Sequence, residues 1–268
     1  MYTVLNADEL QSRQPAWLYA ASEPVRVAAE SASFVAALPA LLTGPRGDGH
    51  AVMTLPGFLA SDLSTRALRA VLRALNFDVH PWKLGRNTGR AELIDALNGR
   101  FLDLSDAIGK PISLVGQSLG GVLAREIARR HPDRVRMVVT LGSPFGADDD
   151  ANVNPLVQSL FERISASSAA ELRNYLLSED PSEPPPVPSV AIYSRSDGVV
   201  SWHTCLERDR PHTENIEVIG SHSGMAVQPA VVHAVADRLA MTPRSWQRFE
   251  RQEGLRSYVY PQPVYAAG

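Results

Sequence analysis

Short apolar runs alternate along the chain with stretches in which apolar side chains recur every three to four residues. The runs predict buried strands, at residues 50–55, 77–82, 112–115, 135–141, 187–193 and 215–219. The three-to-four spacing predicts helices, at residues 68–75, 91–108, 119–130 and 229–239. Strands that alternate with helices imply a mainly parallel sheet covered by helices on both faces, so the predicted class is α/β.

Three segments fall outside this alternation. Residues 1–48 form an alanine-rich N-terminal extension, and residues 243–268 form a C-terminal tail that wraps the domain or docks on a second subunit. Residues 148–186 begin with three aspartates, end rich in proline and contain two stretches of helical spacing, around Leu160 and around Tyr175. We interpret them as a small helical cap over the strand ends, the alternative being helices packed on the sheet.

Composition narrows the possible functions only slightly. The 268 residues, 44% of them hydrophobic, suffice for a single domain with one sizeable core. A net charge of −3 gives no reason to expect a nucleic-acid partner, and the one cysteine, Cys205, excludes an internal disulfide. The chain shows no metal-binding spacing, no secretory signal at its start and no stretch that spans a bilayer. A cytoplasmic protein without metal or cofactor is therefore expected, its oligomeric state unknown.

The most informative motif is the run Gly-Gln-Ser-Leu-Gly at residues 116–120, followed by Gly121. A predicted strand precedes it and a predicted helix follows, as a tight strand-to-helix turn bearing a nucleophilic serine requires. Side chains at the glycine positions would collide with the neighbouring strand and helix. The motif predicts Ser118 as a nucleophile, the alternative being a glycine-rich turn with a capping serine.

On this motif and its context, the chain resembles the α/β-hydrolase superfamily, and within it bacterial lipases and esterases, from about residue 50 to residue 241. The resemblance implies the chain order serine, acid, histidine for a catalytic triad. It favours His222, which follows the predicted strand at 215–219, over His203 and His212, which lie in a polar connection before that strand.

The resemblance also implies that the triad acid is Asp197, in the loop after the strand at 187–193. The alternative is an aspartate among residues 148–150, which lie after the preceding strand. The two backbone N–H donors of an oxyanion hole are expected from Leu119 and, by analogy with lipases, from Phe58. Pro56 stands where those lipases carry histidine, and Phe58 and Leu59 are expected to line an apolar acyl site.

The predicted function is hydrolysis of carboxylic esters, of small molecules or lipids, through an acyl-enzyme on Ser118. Two alternatives stay open at this point. The same triad serves acyl transfer and the hydrolysis of thioesters or amides, and a hydrolase scaffold also occurs as a non-catalytic binding protein.

Overall fold

The structure is a computed structural model that describes residues 3–5, 15–146, 154–165, 180–242, 245–249 and 258–267. Its centre is a six-stranded parallel sheet with strand order β3-β2-β4-β5-β6-β7. The strands of this sheet are β2 (Ala51–Leu55), β3 (Asp78–Pro81), β4 (Ile112–Gln117), β5 (Val135–Leu141), β6 (Ser189–Tyr193) and β7 (Thr213–Glu217). The predicted parallel α/β sheet is thereby confirmed.

Helices cover both faces of this sheet. They are α1 (Trp17–Leu41), α2 (Arg66–Ala74), α3 (Ala91–Ile108), α4 (Leu119–Arg130), α5 (Pro155–Ser165) and α6 (Pro229–Ala240). One apolar core joins α1, α2 and α6 to one face of the sheet, and a second joins α3 and α4 to the other face. Successive residues of one strand enter different cores, as Val52 and Met53 of β2 do, because strand side chains alternate between faces.

The N-terminal extension and the tail are parts of this domain. The sequence predicts no element before residue 50, yet residues 17–41 form α1, a 25-residue helix. In the tail, β8 (Val264–Ala266) pairs in parallel with β1 (Thr3–Leu5) near the outer edge of β7. The described part of the tail therefore wraps the domain, one of the two arrangements that the sequence allowed.

Two local predictions differ from the structure. The last strand of the large sheet is Thr213–Glu217, so it begins two residues before the predicted strand and ends two residues before that strand's end. Helix α2 spans Arg66–Ala74, so it begins two residues before the predicted helix and ends one residue before that helix's end. Its N-cap position is held by Thr65 without a side-chain hydrogen bond, and not by Asp62. The Asp62 carboxylate instead accepts hydrogen bonds from the backbone N–H of Trp82 at 3.1 Å and of residue 83 at 3.2 Å.

Candidate active site

Ser118 lies at the turn between the end of β4 and the start of α4. Its backbone has φ 51° and ψ −124°, in the left-handed half of φ space that a residue with a side chain seldom occupies. The turn is held by a hydrogen bond of 2.8 Å from the Ser118 N–H to the carbonyl of Leu141, at the end of β5. Strain of this kind is retained at functional sites because it projects one side chain over the sheet edge.

The neighbouring glycines allow this turn to be so tight. A Cβ at Gly116 would lie 2.3 Å from the carbonyl oxygen of Gly120, and a Cβ at Gly120 would lie 2.4 Å from the carbonyl oxygen of Leu55. A Cβ at Gly121 would lie 2.0 Å from the Ser143 hydroxyl oxygen. The motif therefore has a steric reason at each glycine, as the sequence predicted.

Asp197 and His222 meet in the space beyond the ends of β6 and β7. The Asp197 Oδ2 and the His222 Nδ1 lie 2.6 Å apart, and both side chains are buried. The other carboxylate oxygen, Oδ1, accepts hydrogen bonds from the N–H of Val199 at 2.8 Å and of Val200 at 2.9 Å. The carboxylate is thus fixed on both oxygens, which sets the plane of the imidazole that it contacts.

The electrostatic surroundings favour the charged form of His222. Burial lowers the pKa of its imidazole, but the adjacent Asp197 charge and hydrogen bond, with a further contribution from Glu23, outweigh that effect. The pKa of His222 is therefore raised above its ordinary value. A base stabilised as its conjugate acid is what proton abstraction from a serine requires.

The structure brings the histidine loop close to the serine without joining the two side chains. Gln117, the residue before Ser118, donates a hydrogen bond of 3.0 Å from Nε2 to the carbonyl oxygen of His222. Among the described residues, Ser118 and His222 share no side-chain hydrogen bond. Such bonds are often long in an unliganded site and tighten when the substrate binds. Sequence reasoning missed Gln117, although the motif contains it.

The two predicted oxyanion donors both lie close to Ser118. Leu119 begins α4 directly after Ser118, so its N–H belongs to the unsatisfied first turn of that helix. Phe58 follows Gly57, where a Cβ would lie 3.3 Å from the Ser118 Cβ. In the described part of the chain, neither the Phe58 nor the Leu119 N–H makes a backbone hydrogen bond outside the regular elements.

A buried asparagine that sequence reasoning missed holds the Phe58 loop. Asn87 donates from Nδ2 to the carbonyl of Pro56 at 2.9 Å, and its backbone carbonyl accepts from the N–H of Leu59 at 2.7 Å. Leu59 has φ 59°, so this loop also contains a strained residue. No pattern around Asn87 in the sequence signals this contact, because it depends on a turn more than 25 residues away in the chain.

Helix α5, at the start of the predicted cap, lies over the Phe58 side of the site. The rings of Phe161 and Phe58 meet edge to face with 5.0 Å between centroids, and Arg90 donates from Nε to the carbonyl of Ile164 at 3.1 Å. The predicted second helix around Tyr175, and the alternative acids at positions 148–150, lie outside the described residues.

A second histidine, His50, also lies between a carboxylate and a serine hydroxyl, but that serine is not at a strand-to-helix turn. His50 lies 2.6 Å from Asp48 through Nδ1 and 3.0 Å from the Ser113 hydroxyl through Nε2. Ser113, however, is fully buried near the start of β4, the end opposite to Ser118. Cys205 is buried, and burial raises the pKa of its thiol well above the ordinary value, which disfavours the thiolate that a nucleophilic cysteine requires.

The described residues contain no group of acidic, histidine and cysteine side chains arranged to hold a metal ion. Within the same ranges, no helix is both long and apolar enough to cross a membrane.

Comparison with known proteins concerns the fold that carries this site. A family model described as the α/β hydrolase fold matches residues 80–169, which include the Ser118 turn. No curated protein matches the chain.

Three solved structures illustrate the similarity. Carboxylesterase CesB from Bacillus subtilis superimposes with a TM-score of 0.51 at 15% identity, covering 78% of this chain and 98% of that one. A 2-hydroxy-6-oxo-6-phenylhexa-2,4-dienoate hydrolase from a Rhodococcus species gives 0.54 at 16% identity, over 72% and 92% of the two chains. Lipase B from Aspergillus fumigatus gives 0.56 at 16% identity, over 81% and 60%. At such identities the likeness concerns the fold; together with the family model it shows the α/β-hydrolase fold and supports an assignment to the α/β-hydrolase superfamily.

Proposed function

We propose that this protein is a serine hydrolase that cleaves carboxylic esters, with Ser118, His222 and Asp197 as its catalytic triad. The observation that carries the proposal is the contact of 2.6 Å between Asp197 and His222 beyond the same sheet edge as the strained Ser118 turn. The similar folds include a carboxylesterase and a lipase, which supports the choice of ester substrates.

The proposed reaction uses these three side chains. His222 accepts the Ser118 hydroxyl proton at Nε2, while its Nδ1–H stays bonded to Asp197, and the serine oxygen attacks the ester carbonyl. The N–H groups of Leu119 and Phe58 bind the oxyanion that develops. His222 then protonates the leaving alcohol, and a water that it deprotonates releases the acid from the acyl-enzyme.

The surroundings of Phe58 favour an apolar acyl group. Phe58 and Leu59 line one side of the proposed acyl site, and Phe161 of α5 packs on Phe58. The contact between Phe161 and Phe58 supports α5 as part of the predicted cap over this site.

Covalent labelling of Ser118 tests the proposal most directly. A fluorophosphonate should add once to the folded wild-type protein and not to Ser118→Ala, because only an activated serine attacks its phosphorus. Intact-protein mass spectrometry measures the adduct, and Ser113→Ala is the control that should label like wild type. A folded wild-type protein without an adduct would contradict a catalytic Ser118 and favour a non-catalytic binding protein.

The pH dependence of labelling should follow His222. Protonated His222 cannot accept the serine proton, so the labelling rate rises with pH as the imidazole loses its proton. Because the pKa of His222 is raised, the midpoint should lie above the usual histidine value of about 6.5. Rates measured between about pH 5 and about pH 9 give the midpoint, and a rate independent of pH would exclude His222 as the base.

A further inference from the structure

Helix α1 lies against both loops that carry the acid and the base of the proposed triad. Three of its polar residues, Glu23, Arg26 and Glu30, are spaced so that they share one face of the helix. Arg26 donates from Nη1 to the carbonyl of Ser196 at 2.6 Å, in the Asp197 loop. Glu30 accepts from the Ser221 N–H at 2.6 Å, in the His222 loop. One helix face thus contacts both loops.

Glu23 bridges the two loops with a single carboxylate. Its Oε1 accepts from the N–H of Gly198 at 3.2 Å and of His222 at 2.9 Å, and its Oε2 accepts from the N–H of Ser223 at 3.1 Å. The side chain is buried, and Arg26 donates to it at 2.7 Å. Its partners are therefore the catalytic histidine and residues adjacent to both catalytic side chains.

Glycines in both loops let α1 approach this closely. A Cβ at Gly198, next to Asp197, would lie 2.6 Å from backbone atoms of Tyr19 in α1. A Cβ at Gly224, two residues after His222, would lie 1.7 Å from Glu30 Oε2. Side chains at these positions would displace the helix, so the glycines are what allows both loops to pack closely against α1.

The charges around His222 make Glu23 more than a structural support. Asp197 contacts the imidazole from the loop after β6, and Glu23 approaches from α1 with its charge partly balanced by Arg26. The buried Cys205 thiol near Asp197 is neutral. Burial raises the pKa of Glu23, but the hydrogen bonds from the His222 and Ser223 N–H groups, with the charges of His222 and Arg26, outweigh that effect. The pKa of Glu23 is therefore lowered below its ordinary value, and this carboxylate stays ionised.

We propose that Glu23 is a positioning residue of the Ser118 site, which holds the Asp197 and His222 loops together and places a second buried negative charge near the imidazole. The inference rests on the proposed function.

The test is the titration of His222 in Glu23→Gln. Glutamine keeps the size of the side chain and removes its charge, so imidazolium loses a stabilising partner. We expect the His222 midpoint to fall by about one unit. The plateau rate of labelling should fall by about threefold to tenfold, since a weaker base removes the serine proton more slowly. A purely structural role would lower the plateau and leave the midpoint where it is.

The matched control is Glu30→Gln. Glu30 belongs to the same helix face and bonds the same histidine loop through Ser221, but it contacts no part of His222. Its substitution should leave the His222 midpoint unchanged. Arg26→Gln should shift the His222 midpoint in the opposite direction to Glu23→Gln. It removes the positive charge beside Glu23, so the midpoint should rise. Arg26→Gln removes the hydrogen bond to the Ser196 carbonyl but none of the three backbone hydrogen bonds of Glu23, so it tests the charges near His222 even if Glu23→Gln does not fold.

The midpoint is measured by NMR on protein with ¹³C-labelled histidine, the His222 resonance being identified by its loss in His222→Ala. This readout needs no activity, so a wild-type protein that fails to label with fluorophosphonate overturns the proposed function alone. Midpoints that fall in Glu23→Gln, stay in Glu30→Gln and rise in Arg26→Gln support the inference. An unchanged midpoint in Glu23→Gln, or in Arg26→Gln, overturns it.

Discussion

Asp197→Asn is expected to lower ester hydrolysis by about 10⁴-fold, the loss that removal of the buried carboxylate causes in a serine protease with the same triad. In the structure, Asp197 accepts backbone hydrogen bonds on Oδ1 and contacts His222 Nδ1 through Oδ2. An asparagine that keeps the Oδ1 contacts turns its NH₂ group toward Nδ1. Nδ1 must then be the unprotonated nitrogen, so the ring proton moves to Nε2, which can no longer accept the Ser118 proton.

The experiment compares kcat/KM on a p-nitrophenyl ester for wild type and Asp197→Asn, with thermal unfolding to show that the variant folds. Asp78→Asn is the matched control, since Asp78 pairs with His80 at 2.8 Å on the surface, far from the sheet end that carries Ser118. It should stay within about twofold of wild type. A loss of less than tenfold in folded Asp197→Asn would show that Asp197 is not the acid, and an aspartate among residues 148–150 would become the candidate.

The sheet and the order of the site residues are readable from the sequence because both depend on local patterns. A strand buried on both faces appears as an apolar run, which is why residues 135–141 are predicted with the bounds that β5 has. The serine turn is recognised from the local spacing of its glycines, although the atoms that exclude side chains at Gly120 and Gly121 belong to Leu55 and Ser143, far away in the chain. The resemblance to α/β-hydrolases, with the places of Asp197 and His222 after two predicted strands, predicts these two residues, although their catalytic roles stay predictions.

The edge strand β7 was misplaced because its buried residues are mostly polar. All five residues of Thr213–Glu217 are buried, three of them through polar partners far away in the chain. Glu214 pairs with Arg238, Asn215 donates to the Val264 carbonyl in the tail, and Glu217 accepts from Tyr193. Hydrophobic patterning cannot reveal burial of this kind, since the partners come from other elements.

Helix α1 escaped prediction for a related reason. Its buried residues are Glu23, Phe34 and Leu41, too few and too polar to form an apolar stripe, and Pro24 and Pro39 interrupt the pattern. The face with Glu23 and Arg26 is polar because it meets backbone N–H and carbonyl groups of the Asp197 and His222 loops. The contact from Glu23 to His222 spans 199 residues of sequence, a distance at which no motif relates the two.

Glu207→Ala is expected to destabilise the protein by about 3 to 5 kcal/mol, since it leaves the Arg125 guanidinium buried without its charge partner. Both side chains are inaccessible to solvent and form an ion pair, which Ser189 joins by a hydrogen bond of 2.5 Å to Glu207. Burial lowers the pKa of Arg125 to about 10 although Glu207 opposes the shift, so the arginine stays charged. Its guanidinium also lies 3.7 Å from the centre of the Phe145 ring.

Urea unfolding measures this loss, and a surface pair supplies the control. Arg134 and Asp106 form an ion pair with 42% and 69% of their side chains exposed, so Asp106→Ala should cost less than about 1 kcal/mol. Because the cost of Glu207→Ala comes from the stranded charge, the double variant Arg125→Leu with Glu207→Leu should recover most of the lost stability. A double variant less stable than Glu207→Ala would mean that the Arg125–Glu207 ion pair itself stabilises the packing of α4 against the loop before β7. If the double variant recovers stability and retains hydrolysis, the pair supports the fold and takes no part in catalysis, which the proposed function places at the opposite end of β4.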